Sequence, residues 1–253
     1  MSLAKVLHDL GEVIFPFRCL GCDDLIDQGN GRLFCPSCAA KVHFIRGSLC
    51  DICGTTFPDS SAENHLCGEC LEKKPCFSRA RAIFNYDDVI LNAIHQFKYK
   101  NNLSIGEMLA SFMADFSFPG IDFTGYSLMV PVPLHIKRLR ERGFNQSLIL
   151  ARALGKKRQI PVDFSVLKRH KYTQTQTGYH KQERKQNIRG AFEVCNAEKI
   201  SGQTILLIDD VFTTGATVNE CAKILIRAGA REVSVLTLAR VLPHHFNARS
   251  SDE

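Results

Sequence analysis

Residues 206 to 217, LLIDDVFTTGAT, place two carboxylates, three threonine hydroxyls and one glycine within twelve positions. The apolar residues before them read as a buried strand, and an amphipathic helix follows. A loop of small and hydroxylated residues that opens a helix suits a phosphate, because free amides and the helix dipole both attract an anion. Thr213, Thr214, Gly215, Ala216 and Thr217 would supply those amides, with the threonine hydroxyls as further donors and Gly215 permitting close approach. Carboxylates repel phosphate, so Asp209 and Asp210 need another partner. They can accept from the vicinal hydroxyls of a ribose, directly or through Mg²⁺. Hydroxyls beside a phosphate describe a ribose 5-phosphate. A Walker-type nucleotide site is excluded by the absence of GxxxxGK[ST], and a dinucleotide site by the absence of GxGxxG.

A second concentration of chemistry lies near the N-terminus. Eight of the eleven cysteines form four CxxC pairs: Cys19/Cys22, Cys35/Cys38, Cys50/Cys53 and Cys67/Cys70. Each pair can bite one tetrahedral ion, and two pairs in series complete four sulfurs, which gives two structural Zn²⁺ sites. Four thiolates leave no open coordination position, so these ions are not expected to catalyse. Pairing in chain order is the expectation, with an interleaved pairing left open; disulfides fit poorly in a chain without an export signal. His43 and His65 are surplus to the ligand sets. Cys76, Cys195 and Cys221 lack partners at metal spacing and read as small core residues.

The formal net charge of +6 conceals an asymmetry. Residues 130–191 hold fifteen Lys and Arg against three Asp and Glu, and the remainder holds 17 against 23. Such segregation points to an anionic ligand or to nucleic acid at the middle third, against the plainer reading of solvated helix faces.

The elements that must position these groups follow from periodicity. SRARAIFNY, SLMVPVP, TILLID and EVSVLTLA read as strands. DDVILNAIHQFKY, SIGEMLASFMADF, NQSLILARALGKK and TVNECAKILIRAG read as helices. Strands alternating with helices give an α/β fold, a parallel sheet flanked by helices with its ligand at the carboxyl ends of the strands. The expected organisation is an amphipathic helix at 1–14, a double zinc ribbon at 15–77, the sheet domain at 78–243 and a disordered tail at 244–253. Residues 15–77 hold few large apolar side chains, so metal is the expected staple. No run reaches the roughly 18 apolar residues of a spanning helix, and the N-terminus lacks a signal-peptide pattern, so a cytoplasmic protein is expected.

The loop at 209–217 resembles the phosphoribosyl pyrophosphate (PRPP) loop of type I phosphoribosyltransferases. VPVPLHIKRLRERGFNQS at 130–147, QTQTGYHKQERKQNIRGAF at 174–192 and the double zinc ribbon narrow the resemblance to the ComF family. The FKY at 97–99 also matches, whereas YDDVI lacks the glycine usual before that helix. The resemblance implies a type I phosphoribosyltransferase-like fold, with Asp209 and Asp210 as the catalytic acidic pair. It implies a pyrophosphate loop carrying Arg138, Arg142, Asn145 and Gln146, and a flexible loop carrying Arg184, Asn187 and Arg189. It further implies PRPP and Mg²⁺ as ligands, with transfer of a phosphoribosyl group to an unidentified acceptor. DNA uptake in natural transformation is the implied role, with single-stranded DNA and proteins of the competence machinery as partners. The alternative is an inactive PRPP sensor or nucleic-acid-binding accessory protein.

Overall fold

A computed structural model describes residues 18–26, 33–59, 63–99, 103–172 and 187–242. The expected N-terminal helix, Arg184 and the tail lie outside them. Two short helices, α1 (Pro36–Ala39) and α2 (Gly68–Glu72), begin within the second CxxC pair of each cysteine unit. The sheet domain then runs β1 (Arg79–Asn85), α3 (Asp88–Tyr99), α4 (Leu103–Asp115), β2 (Leu128–Pro131), α5 (Ile136–Arg142), α6 (Gln146–Arg158), β3 (Leu167–Arg169) and β4 (Phe192–Val194). It closes with β5 (Thr204–Phe212), α7 (Ala216–Arg227) and β6 (Glu232–Arg240). β1, β6, β5 and β2 form, in that order, a parallel four-stranded sheet; β3 and β4 make a separate antiparallel hairpin.

The alternation of a strand divides the core into two layers. Leu206 and Ile208 of β5 face α3, α4 and α6, where Phe97, Leu109, Met113, Leu150 and Leu154 are buried. Ile205 and Leu207 face α7, through Val218, Cys221, Ala222 and Leu225. Because β5 is covered on both faces, its apolar run is continuous in the sequence.

The cysteine units dock along the free edge of β1. Ile45 N–H donates to Ile83 O at 2.8 Å, Asn85 N–H to His43 O at 2.8 Å, and Ala80 N–H to Ile52 O at 2.7 Å. These bonds satisfy backbone groups that an edge strand would otherwise expose. Arg81 on β1 is buried and donates to the carbonyls of Pro119, Cys50 and Asp51. The ribbon cysteines also share the two apolar layers of the sheet instead of forming a core of their own.

Three details depart from the sequence reading. β5 continues through Val211 and Phe212, paired to Ala239 and Arg240, so the aspartates lie inside the strand and not at its end. Residues 136–142 are a helix, not a loop: His135 caps it, accepting from Lys137 N–H at 3.2 Å, and Gly143 ends it at φ 76°. Of the three unpaired cysteines only Cys221 is a core residue. Cys76 lies exposed in the link to β1 and Cys195 exposed beyond β4, positions that neither layer covers.

Candidate sugar-phosphate site and zinc centres

The site forms where β5 meets α7. Gly215 sits immediately before α7 with φ 71°, a left-handed conformation that costs an ordinary residue. The helix has no side-chain N-cap, and Ala216 N–H reaches the Thr214 hydroxyl at only 3.4 Å. A twelve-residue helix that opens without a capping side chain presents its amides and the positive end of its dipole to an incoming anion. Gly215 has a second constraint: a Cβ there would lie 2.5 Å from the Phe212 ring.

Asp209 and Asp210 are consecutive strand residues, so their carboxylates leave β5 on opposite faces. Asp209 Oδ1 accepts from the Ser147 hydroxyl at 2.9 Å and from Asp210 N–H at 3.0 Å. Burial, reinforced by the charge of Asp210, pushes the Asp209 carboxyl up to about 7, against the opposing pull of the Ser147 bond. Asp210 Oδ2 lies 2.6 Å from the Lys98 ammonium, with both side chains largely covered. Burial works against the charge of Lys98, and the Asp210 carboxylate outweighs it, leaving the ammonium held above its ordinary pKa. The two carboxylates therefore do not form a chelating pocket: one is hydrogen-bonded within the fold and the other is neutralised by a lysine. Among the described residues, the groups arranged to hold a metal are the two cysteine clusters.

Arg138 and Arg142 stand one turn apart on α5 and share a face. The Arg142 guanidinium lies 5.6 Å from the centre of the Tyr99 ring and donates to Gln146 Oε1 at 3.3 Å. Asn145 is engaged structurally: its Oδ1 accepts from Ser147 N–H at 3.0 Å and its Nδ2 donates to Val132 O at 3.0 Å. It caps α6 and so sets the position of Ser147, the partner of Asp209. Gln146 is buried, and its Nε2 has no hydrogen-bond partner among the described residues. Asn187 is half-buried and Arg189 exposed at the end of the expected flexible loop. Gly190 N–H ties that end to Glu220 of α7 at 3.1 Å.

The sequence reading assigned no role to two basic residues that the fold brings here. Lys98 lies in the FKY motif, but nothing local in the sequence says that the last turn of α3 meets β5. Arg169 on β3 feels both Arg138 and Asp209; burial lowers its pKa, and the Arg138 charge adds to that effect. No spacing rule links residue 169 to residue 209. Other charges of the basic segment are engaged elsewhere: Lys157 pairs with Asp115 at 2.6 Å, and the Arg158 guanidinium lies 4.3 Å from the Phe123 ring centre.

The cysteines gather as Cys19, Cys22, Cys35, Cys38 and as Cys50, Cys53, Cys67, Cys70, with the sulfurs of each set within 4.8 Å of one another. Cys22 and Cys35 stand 3.7 Å apart, as do Cys53 and Cys67. That matches the edge of a tetrahedron with zinc–sulfur bonds of about 2.3 Å, roughly 3.8 Å, and is far longer than a disulfide. Backbone amides of Gly21 and Cys35 donate to Cys19 Sγ, and that of Cys67 to Cys50 Sγ, an arrangement suited to thiolates. Two Cys₄ zinc ribbon sites are the result. Of the surplus histidines, His43 pairs with Asp87 at 3.0 Å and His65 stacks on Phe57 at 3.7 Å.

Arg240 links the second ribbon to the end of β5. Arg240, buried at the end of β6, donates to the Cys53 carbonyl and lies 3.6 Å from Cys53 Sγ. Its guanidinium lies 4.3 Å from the centre of the Phe212 ring, the ring that abuts Gly215.

A parallel sheet with flanking helices, a double zinc ribbon and this strand–loop–helix junction define a phosphoribosyltransferase-type protein with an N-terminal metal unit. The comparisons agree: the double zinc ribbon domain matches residues 10–71 and the phosphoribosyl transferase domain residues 141–249. The chain belongs to the ComF family. It is 34% identical over 211 residues to the DNA utilization protein YhgH of Salmonella typhimurium, spanning 82% of this chain and 90% of that one. It is 29% identical to competence protein F of Haemophilus influenzae, over 89% and 98% of the two chains. To competence protein ComFC of Bacillus subtilis it is 27% identical, over 92% and 99%.

Proposed function

We propose that the junction of β5 and α7 binds PRPP. The 5′-phosphate would sit on the amides of residues 213–217, the ribose hydroxyls would donate to Asp209 and Asp210, and the diphosphate would face Arg138 and Arg142. The observation that carries this reading is an α7 N-terminus lacking a side-chain cap that follows directly on the carboxylates of β5, with α5 tied to the same strand through the Arg142–Gln146 and Ser147–Asp209 hydrogen bonds. Arg184, Asn187 and Arg189 belong to the segment proposed to close over the ligand. Mg²⁺ would arrive as the counter-ion of the diphosphate, whose leaving-group charge it stabilises when bound; the carboxylates of the chain do not build a pocket for it.

In the proposed transfer the bond from the anomeric carbon to the diphosphate oxygen breaks, its electron pair leaving with the diphosphate. An acceptor nucleophile bonds to that carbon and loses its proton. The acidic pair would stabilise the positive ribose and the α5 arginines the departing diphosphate. The relatives named for competence and DNA utilization support a role in DNA uptake, exercised in the cytoplasm with single-stranded DNA and competence proteins as partners. No helix among the described residues is long and apolar enough to cross a membrane. A sensor that binds PRPP without turnover is the alternative, favoured by the half-buried Asp209, whose Oδ1 already accepts from the Ser147 hydroxyl and the Asp210 amide.

Calorimetry with PRPP and Mg²⁺ tests the reading. Wild type should bind, and Asp210→Asn should bind about 1–3 kcal/mol more weakly, the usual loss for a charged hydrogen-bond partner. No heat of binding from folded wild type would remove the proposal. Diphosphate release from PRPP across a panel of bases and nucleic acids then separates enzyme from sensor.

A further inference from the structure

We propose that Lys98 is a ligand-binding residue of this site: the resident cation of the acidic pair, and a direct contact for the diphosphate beside Arg142. The inference rests on the PRPP reading and adds to it a residue and a consequence for metal dependence.

Three observations carry it. Lys98 Nζ stands 2.6 Å from Asp210 Oδ2, the carboxylate that leaves β5 toward α3. A divalent ion at that oxygen would have to displace the ammonium. An ammonium also carries three donors, so one carboxylate does not exhaust it. The next residue, Tyr99, lies under the Arg142 guanidinium with 65% of its surface exposed. The last turn of α3 thus touches both halves of the site, the acidic pair through Lys98 and the arginine helix through Tyr99. Finally, Gln146 beside Arg142 is 1% exposed, and its Nε2 has no partner among the described residues. A buried donor without a partner is costly, and at this position it is accounted for by a ligand rich in oxygen acceptors. A diphosphate offers such acceptors and carries the charge that Lys98 and Arg142 would share.

It follows that a protein-held cation already occupies the place where Mg²⁺ would meet Asp210. The protein should bind the diphosphate part of its ligand without metal, and Mg²⁺ should add to that binding without being required for it.

The test is a titration of PRPP, ribose 5-phosphate and inorganic diphosphate into wild type, Lys98→Met and Lys98→Arg, each with Mg²⁺ and with a chelator that leaves the zinc in place. Thermal unfolding confirms that each variant is folded. Wild type is expected to bind PRPP and diphosphate in both conditions. Lys98→Met should weaken PRPP and diphosphate by at least tenfold in chelator and less in Mg²⁺, and should change ribose 5-phosphate by no more than about threefold. Lys98→Arg should recover most of the loss. A lysine that merely holds Asp210 in place would give equal losses for all three ligands, unaffected by Mg²⁺, and that result would overturn the proposal. Should wild type bind diphosphate but not PRPP, the PRPP reading falls while Lys98 is still judged by the diphosphate series. Binding of neither ligand by folded wild type overturns both.

Discussion

Asp209 and Asp210 are neighbours in the chain, yet the fold gives them different work. Asp210 faces α3 and is paired with Lys98 at 2.6 Å. Asp209 faces the α7 layer, where burial and the Asp210 charge push its carboxyl up to about 7 from 3.8. Between those two values the folded chain holds a proton that the unfolded chain has released. The stabilisation associated with Asp209 is therefore present below about pH 4 and lost as pH rises through 7. Asp209→Asn, which cannot ionise, should raise the melting temperature of the ligand-free protein by about 2–4 °C at pH 8, on the scale of about 1 kcal/mol for a chain this size. The gain should shrink toward pH 5; a gain independent of pH would show that ionisation of Asp209 is not its source. Gly215 carries a related lesson. Close approach of a phosphate is one reason for a residue without a side chain there, but a side chain at φ 71° would also strike the Phe212 ring. Gly215→Val should therefore lower stability as well as ligand affinity.

At the scale of elements, periodicity made the four parallel strands and their helices legible, because buried strands and amphipathic helices write their burial into residue order. The cysteine clusters were legible for a similar reason, since four close sulfurs require two CxxC pairs at hairpin spacing. What could not be read is contact between elements remote in the chain. Asn145, a ligand donor on the family resemblance, has a structural task that its place in the sequence does not show: its bonds to Ser147 and Val132 make it a cap that aims α6 at Asp209. Arg240 gave no local signal at all. It lies between Cys53 and Phe212 because β6 ends beside the second ribbon. That contact yields a prediction about the ribbon: Arg240→Met keeps the volume but removes the donor to the Cys53 backbone and the cation beside its sulfur. Groups around metal ligands typically contribute tenfold or more to affinity, so one zinc of two should pass to a chromogenic chelator about tenfold faster. Unchanged release of both ions would mean that the arginine serves the sheet alone.

For the whole molecule, the ribbons and the sheet are mutually dependent. The cysteine units cover the open edge of β1 and contribute to both apolar layers, and the sheet returns Arg81 and Arg240 to the carbonyls of the second unit. Sequence reasoning foresaw a metal-stapled segment with a poor core of its own; the shared core explains how so short a segment is held in place. Lys98 feels Asp210 and Arg142, and Arg169 feels Asp209 and Arg138, so the aspartates of β5 and the arginines of α5 share one electrostatic neighbourhood. The central claim is that these parts divide one sugar phosphate among themselves, the diphosphate falling to α5. Calorimetry with PRPP and with ribose 5-phosphate, on wild type and Arg142→Ala, tests that division most directly. The account predicts that Arg142→Ala weakens PRPP by about 1.5–3 kcal/mol, the range for a hydrogen bond to a charged group, and leaves ribose 5-phosphate nearly unchanged. Equal loss for both ligands would contradict it.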